Sequence, residues 1–348
     1  MKLRYVNEKN AVLVFTPTNR RYITGFNSSL GYLLLTKDEN ILFVDGRYFE
    51  AASKNATNVS VVLISNIYEQ INTVIKDKCI EKLFIEVENN ISLYNEIKKK
   101  LCAKVVPSEA LSNRICQMRS IKSKYETESI ITAQRIAEKA YCDTLEFIKT
   151  GVSEREIAAF LEYRMKMYGS EAEAFDTIAV SGPNSSLPHG VPTDRRVCDG
   201  DFITMDFGAK INGYCSDMTR TVAVGYATDE MQEVYATVLS AQKNVEEAVK
   251  AGMLCSEVDA LARSVIISAG YGANFTHSTG HGIGLEVHET PTVSPKNTTT
   301  KLRAGQVISN EPGIYLTGKF GVRIEDMLLI TKSGCKNLTN SEKHLIIL

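Results

Sequence analysis

A chain of 348 residues is longer than one ordinary hydrophobic core supports, so two domains are the expectation. Hydrophobic residues make up 44% and charged residues 23%, which excludes a disordered or fibrous chain. With 40 basic against 41 acidic residues, and a formal net charge of -1, the charge balance gives no reason to expect nucleic acid or an anionic membrane as partner.

No apolar run approaches the roughly 20 residues needed to span a bilayer. The first residues, Met1-Lys2-Leu3-Arg4-Tyr5-Val6-Asn7-Glu8, are polar and lack the apolar stretch of a signal peptide. Eight cysteines are scattered without a C-x-x-C pair, the pattern of free thiols in a reducing cytoplasm rather than of a zinc ribbon or redox site.

The first 118 or so residues alternate short β-like runs with helical ones. Tyr32-Leu33-Leu34-Leu35-Thr36 and Ile41-Leu42-Phe43-Val44 flank a polar turn, Lys37-Asp38-Glu39-Asn40, and read as a hairpin. Residues 59–64 and 82–87 read as buried strands, and residues 66–78 and 90–101 as helices. This α/β unit carries no catalytic cluster. The basic stretch Arg119-Ser120-Ile121-Lys122-Ser123-Lys124 marks a boundary, giving domains 1–120 and 121–348.

A long helix follows over 126–149 and stops at Thr150-Gly151. The capping box Ser153-x-x-Glu156 opens another, and helices are expected over 229–251 and 256–269. Lys149-Thr150-Gly151 before Ser153-Glu154 is echoed by Lys250-Ala251-Gly252 before Ser256-Glu257. Each half then reaches a His-Gly pair, His189-Gly190 and His281-Gly282. A duplicated α+β architecture and chance both account for so short a match.

The chemistry concentrates after residue 200. Asn212-Gly213 between β-like runs signals a two-residue hairpin, which pairs Ile211 with Tyr214 and Asp206 with Thr219. Asp217 then lies diagonally from Asp206 on one sheet face, where two carboxylates repel unless a cation joins them. The plainer alternative is a turn cap, or an ion pair with Arg220. Residues 276–289 hold three of the five histidines, His277, His281 and His288, among three glycines. Imidazole ligates zinc, manganese or cobalt, and glycine lets backbone approach an ion or substrate. Glu311 ends an apolar strand, and Glu325 sits mid-strand, where burial requires a partner: a metal, or Arg323 two residues away. Asp206, Asp217, His281, Glu311 and Glu325 together offer one imidazole and four negative charges, which two divalent cations neutralise. Such a pair, typically about 3.5–4 Å apart, makes a hydroxide nucleophile near neutral pH.

Five strings carry a resemblance: Met-Asp-Phe-Gly-Ala, Tyr-Cys-Ser-Asp-Met-Thr-Arg-Thr, Gly-His-Gly-Ile-Gly-Leu-Glu-Val-His-Glu, Asn-Glu-Pro-Gly-Ile-Tyr and Gly-Val-Arg-Ile-Glu-Asp. In this order they resemble the metallopeptidases of the pita-bread (creatinase/aminopeptidase) fold, nearest to the proline-specific branch of aminopeptidase P and prolidase. Asn19-Arg20-Arg21-Tyr22-Ile23-Thr24-Gly25-Phe26 and Asp45-Gly46-Arg47-Tyr48 resemble that branch's N-terminal domain. The fold implied is α+β, a pita-bread catalytic domain behind a smaller creatinase-like α/β domain.

Carried over by position, the resemblance implies that Asp206 binds one metal, His281 and Glu311 the other, and Asp217 and Glu325 both. A hydroxide bridging the metals would attack the bond before proline, with Glu311 as proton shuttle. His189 matches a histidine beside the scissile bond, His277 one lining the proline pocket, and His288 one that orients substrate. Arg323 and Tyr315 match further active-site positions, and His344 matches none. Two divalent ions are implied, manganese first, then cobalt or zinc. The partners implied are a peptide with proline second and another copy of the chain in a homodimer.

The absence of an insertion in the motifs favours aminopeptidase P over the alternative, an Xaa-Pro dipeptidase (prolidase). Methionine aminopeptidase shares the five ligand types but fits less well, because of the N-terminal domain and the contexts of His288 and Glu325. A non-catalytic binding protein on this scaffold is disfavoured by five competent ligand positions.

Overall fold

The computed structural model describes residues 4–88 and 90–348. It divides into two compact units, Met1–Arg119 and Ser120–Leu348. Among the described residues no helix is long and apolar enough to cross a membrane.

The first unit runs β1 (Asn10–Val14), α1 (Pro17–Thr24), β2 (Tyr32–Leu35), β3 (Asn40–Val44), α2 (Phe49–Asn55), β4 (Ser60–Leu63), α3 (Ile67–Asp77), β5 (Lys82–Ile85), α4 (Ile91–Lys100), β6 (Lys104–Pro107) and α5 (Glu109–Ser120). Its six strands form one mixed sheet in the order β4-β3-β2-β1-β5-β6. The hairpin expected between β2 and β3 is present, closed by a Thr36 N–H to Glu39 carbonyl hydrogen bond of 2.9 Å. Both faces of β1 are buried, Ala11 and Leu13 in one core cluster, Val12 and Val14 in the other. Burial on both sides explains why β2 and β3 read as continuous apolar runs rather than alternating ones, whereas β4, expected as a buried strand, lies at the sheet's edge with its residues exposed or half-buried. Helices α3 and α4 begin where Asn66 and Asn90 accept a backbone N–H of the first turn.

The second unit begins with α6 (Lys124–Phe147), α7 (Glu154–Met167) and β7 (Ile178–Ser181), followed by a 3-10 turn at Gly182–Ser186. It continues with β8 (Phe202–Phe207), β9 (Lys210–Ile211), β10 (Tyr214–Cys215), β11 (Met218–Ala223), α8 (Asp229–Ala248) and α9 (Cys255–Ser268). Its last strands are β12 (Gly280–Gly282), β13 (Glu289–Val293), β14 (Val307–Asn310), β15 (Gly313–Leu316), β16 (Phe320–Arg323), β17 (Asp326–Ile330) and β18 (Cys335–Asn337). Sheets run β11-β8-β7 and β13-β12-β14-β17-β18, with two short ribbons, β9-β10 and β15-β16. The fold is α+β, as expected.

The echo read in the sequence has a structural counterpart. Gly151 and Gly252 both adopt left-handed φ, at 92° and 95°, where a helix ends and the chain turns back. Gly151 N–H donates to Val197, and Gly252 N–H donates to Leu302. The next helices open alike, Glu156 accepting from Ser153 N–H and Glu257 from Leu254 N–H, each at 2.8 Å. Residues of α6 and α7 share a core with β7, β8 and β11; those of α8 and α9 share another with β14, β16 and β17.

The Asn212-Gly213 turn has both residues at positive φ, 51° and 78°, as a type I′ hairpin requires. Tyr214 pairs with Ile211 and Thr219 with Asp206, the register expected. The hairpin is split into two ladders at Gly208 and Ser216, because β8 and β11 join β7 while β9 and β10 stand apart. A Cβ on Gly208 would lie 2.0 Å from the Ser216 carbonyl oxygen, so only glycine permits this crossing between Asp206 and Asp217. Gly208→Ala should therefore destabilise the second unit by about 2 kcal/mol or more, as overpacking against backbone does. Chemical denaturation checks this, and a wild-type midpoint would refute it.

Candidate metal centre

Each acidic candidate sits where the chain leaves a sheet or is about to join one. Asp206 is the penultimate residue of β8, and Asp217 immediately precedes β11. Glu311 lies in the link from β14 to β15, and Glu325 in the link from β16 to β17. Glu325 is therefore not mid-strand as expected: the ladder breaks there as the chain passes from the short ribbon back to the five-stranded sheet. His281 is central in β12, beside a register shift between His281 and Gly282.

These links bring the five side chains together. His281 Nε2 lies 3.3 Å from Glu311 Oε1 and 3.7 Å from Asp217 Oδ2. Asp217, His281 and Glu325 each offer a donor atom within 4.8 Å of the other two. His281 Nδ1 is 3.0 Å from the Gly282 carbonyl, so Nδ1 carries a proton, and Nε2 faces inward, where it offers a lone pair to a cation once it gives up the proton that Glu311 favours on it. Glu311 Oε1 accepts from Ser309 Oγ, and Glu325 Oε2 from Thr219 Oγ1 at 2.7 Å. Asp206 Oδ1 and Glu325 Oε1 are buried without any hydrogen-bond partner. Orphaned carboxylate oxygens beside an inward imidazole lone pair are a donor set that fits divalent cations.

The electrostatics say the same. Burial, and then the charges of Glu325, Asp206 and Glu311, push the Asp217 carboxyl well above the usual range. Burial, and then Glu311 and Asp206, do the same to Glu325. Burial also raises Asp206, against the pull of Arg323. Glu311 goes the other way, to about 2, because its hydrogen bond and ion pair with His281 outweigh burial. Without a cation, then, the cluster must retain protons to remain buried.

The alternative ion pairs do not form. Arg220 meets Asp326 at 2.8 Å rather than Asp206 or Asp217. Arg323 meets Asp206 at 2.7 Å rather than Glu325. Arg323 is the hub of the wall: its Nε donates to Thr219 Oγ1, and its Nη1 to the Tyr315 hydroxyl and the Pro188 carbonyl. Tyr315 in turn lies 2.9 Å from His277 Nε2, while His277 Nδ1 meets the Ser278 carbonyl at 2.8 Å. Both nitrogens of His277 are thus committed, and burial lowers its pKa. His288 stacks edge-on against His281, ring centroids 4.3 Å apart, and burial lowers its pKa too.

The five acidic and imidazole candidates line one cleft of about 740 Å³ with His189, His277, His288, Arg323 and residues outside the motifs such as Phe175, Asp176 and Thr292, while Tyr315 and Thr219 stand behind that lining. Its size suits a small peptide. His344 lies outside it, exposed beside Glu342. Thr219 is the functional neighbour that motif reading passed over. The hairpin register, which sets it opposite Asp206, was the signal for it.

A model of metallopeptidase family M24 matches residues 128–332, and one of the creatinase/prolidase N-terminal domain matches residues 7–121. An Xaa-Pro dipeptidase of Pyrococcus horikoshii is 43% identical over 341 residues, spanning 98% of this chain and 95% of the relative. The solved structure of an Xaa-Pro dipeptidase from Bacillus anthracis superposes with TM-score 0.94 at 40% identity, over 97% of this chain and 95% of that one. An X-Pro aminopeptidase from Thermotoga maritima superposes with TM-score 0.90 at 36% identity, over 98% of this chain and 96% of that one. The chain therefore belongs to metallopeptidase family M24, with a creatinase/prolidase N-terminal domain ahead of the peptidase domain.

Proposed function

We propose that this chain is an Xaa-Pro dipeptidase whose metal ligands are Asp206, Asp217, His281, Glu311 and Glu325. The observation that carries the reading is the convergence of four carboxylates and His281 on one cleft, with Glu311 and Asp217 against His281 Nε2 and two carboxylate oxygens left unpaired. Divalent cations held there, manganese first and cobalt or zinc after it, lower the pKa of water and polarise the scissile carbonyl. Glu311 takes the proton from the attacking water and passes it to the leaving nitrogen. That nitrogen belongs to proline, a tertiary amide without N–H. His189 and His288 flank the bond and orient the peptide, while His277 and Tyr315 shape the wall that meets the proline ring. Arg323 acts through its partners, fixing Asp206, Thr219 and Tyr315 at once. Residues 1–120 and 121–348 are the two functional domains of a cytoplasmic homodimer.

The motif pattern alone favoured aminopeptidase P. The relatives favour the alternative, since those at 43% and 42% identity over nearly the whole chain are Xaa-Pro dipeptidases. The lack of an insertion in the motifs does not separate the two activities. Initial rates on Ala-Pro and on a longer Ala-Pro-peptide decide between them. Ala-Pro should be preferred by at least about tenfold in kcat/KM, and a preference for the longer peptide would return the assignment to aminopeptidase.

Two further outcomes test the centre. Asp217→Ala should reduce hydrolysis of Ala-Pro by about 1000-fold or more, and turnover within tenfold of wild type would refute its role. In the metal-free protein, raised carboxyls such as Asp217 and Glu325 keep protons that the unfolded chain releases. Their contribution is fully present below the ordinary carboxyl pKa and is lost as pH rises from there through the raised one. Metal displaces those protons, so the rise in Tm on adding manganese should be larger at about pH 8 than at about pH 5.5. A rise that is equal at both, measured by calorimetry, would count against carboxylate ligation.

A further inference from the structure

Behind the centre lies a second set of charges that the reaction does not use. Side chains alternate along extended chain, so Thr219 and Glu325 face the centre while their neighbours Arg220 and Asp326 face away. Arg220 and Asp326 are 1% and 0% exposed and lie 2.8 Å apart. All five guanidinium N–H groups find acceptors. Nε donates to the Glu342 carbonyl, and Nη2 to Asp326 Oδ1 and the Ser341 carbonyl. Nη1 donates to the carbonyls of Thr219, at 2.9 Å, and Glu325, at 2.6 Å. Asp326 Oδ2 accepts from Gln242, Asn337 and Lys343 at 2.7, 2.7 and 2.8 Å.

A buried ion pair needs only the contact to Asp326. The two carbonyls on Nη1 belong to the residues whose side chains meet inside the centre, Thr219 Oγ1 donating to Glu325 Oε2. The same two residues are joined through the main chain, Glu325 N–H donating to the Thr219 carbonyl at 3.1 Å.

We propose that Arg220 is a positioning residue for the metal centre, held in place by residues 341–343; this rests on the ligand assignment above. The guanidinium is a rigid planar fork. Holding both carbonyls on one nitrogen fixes the peptide unit that follows Glu325, and with it the aim of the Glu325 carboxylate. Residues 341–343 close the fork from outside with two carbonyls and the Lys343 amine, which reaches Asp326 and Glu246. A segment outside the cleft lining thereby bears on how tightly the centre holds a cation.

Manganese titration of dialysed, folded protein by isothermal calorimetry tests this, with Tm measured on the same samples. Arg220→Lys keeps a charge for Asp326 but loses the planar fork. It should weaken manganese affinity about tenfold or more, in the range typical of lost outer-sphere support. Lys343→Met should weaken it about threefold or more by loosening Asp326. Leu161→Ala, a fully buried core change in α7, should lower Tm while leaving manganese affinity at the wild-type value. Arg220→Lys that loses thermal stability yet binds manganese like wild type overturns the proposal. So does Leu161→Ala if it loses affinity in step with Tm. If Arg220→Lys does not fold, Lys343→Met is judged by the same criterion. A wild-type chain that takes up no manganese, cobalt or zinc brings down the ligand assignment and the proposal together, before any variant is compared.

Discussion

Four carboxylates packed around one imidazole in a buried space repel one another, and every other feature of the second unit answers to that. Removing an isolated charge from water costs several kcal/mol even after relaxation, and neighbouring like charges add to the cost. Proteins meet this by neutralising the groups with protons or with cations. The raised carboxyls of Asp206, Asp217 and Glu325 describe the proton solution. The unpaired oxygens of Asp206 and Glu325 and the inward lone pair of His281 describe the cation solution. A peptidase of a metal-dependent family uses the second.

Bringing such groups together requires strands that do not run straight through. Asp217, Glu311 and Glu325 occupy links between strands, where the ladder is interrupted and a side chain is free to leave the pleat. The short β15-β16 ribbon lets the chain leave the five-stranded sheet before Glu311 and return to it after Glu325. Gly208 lets the first hairpin cross between its two ladders at the matching place. Cavity and ligands are therefore products of the same breaks in regular structure.

Arginine does two distinct jobs around this site. Arg323 is on the cleft side, where one guanidinium ties Asp206, Thr219, Tyr315 and the Pro188 carbonyl into a single wall. Arg220 is on the far side, where it ties main-chain carbonyls and Asp326. Both are buried, and neither leaves its charge unpaired. The distinction matters chemically, because a cleft arginine so fully engaged orders the groups that meet substrate rather than offering itself as a free cation.

Much of this was legible in the residues alone. The Asn212-Gly213 turn set the pairing of Asp206 with Thr219, since a two-residue type I′ loop admits one register. The Ser153-x-x-Glu156 capping box and the Thr150-Gly151 stop placed one helix start and one helix end to within a few residues, because such signals act over one turn of chain. Hidden from such reading was everything decided at a distance. Arg220 and Arg323 each had several acids within reach along the sequence, and only the packing of β11 against β16 and β17 chose Asp326 for one and Asp206 for the other. Glu325 read as mid-strand because apolar residues flank it on both sides, yet those residues serve two different sheets. Local propensity is a property of neighbours in the chain; which charge neutralises which is a property of neighbours in space, and only the folded chain has those.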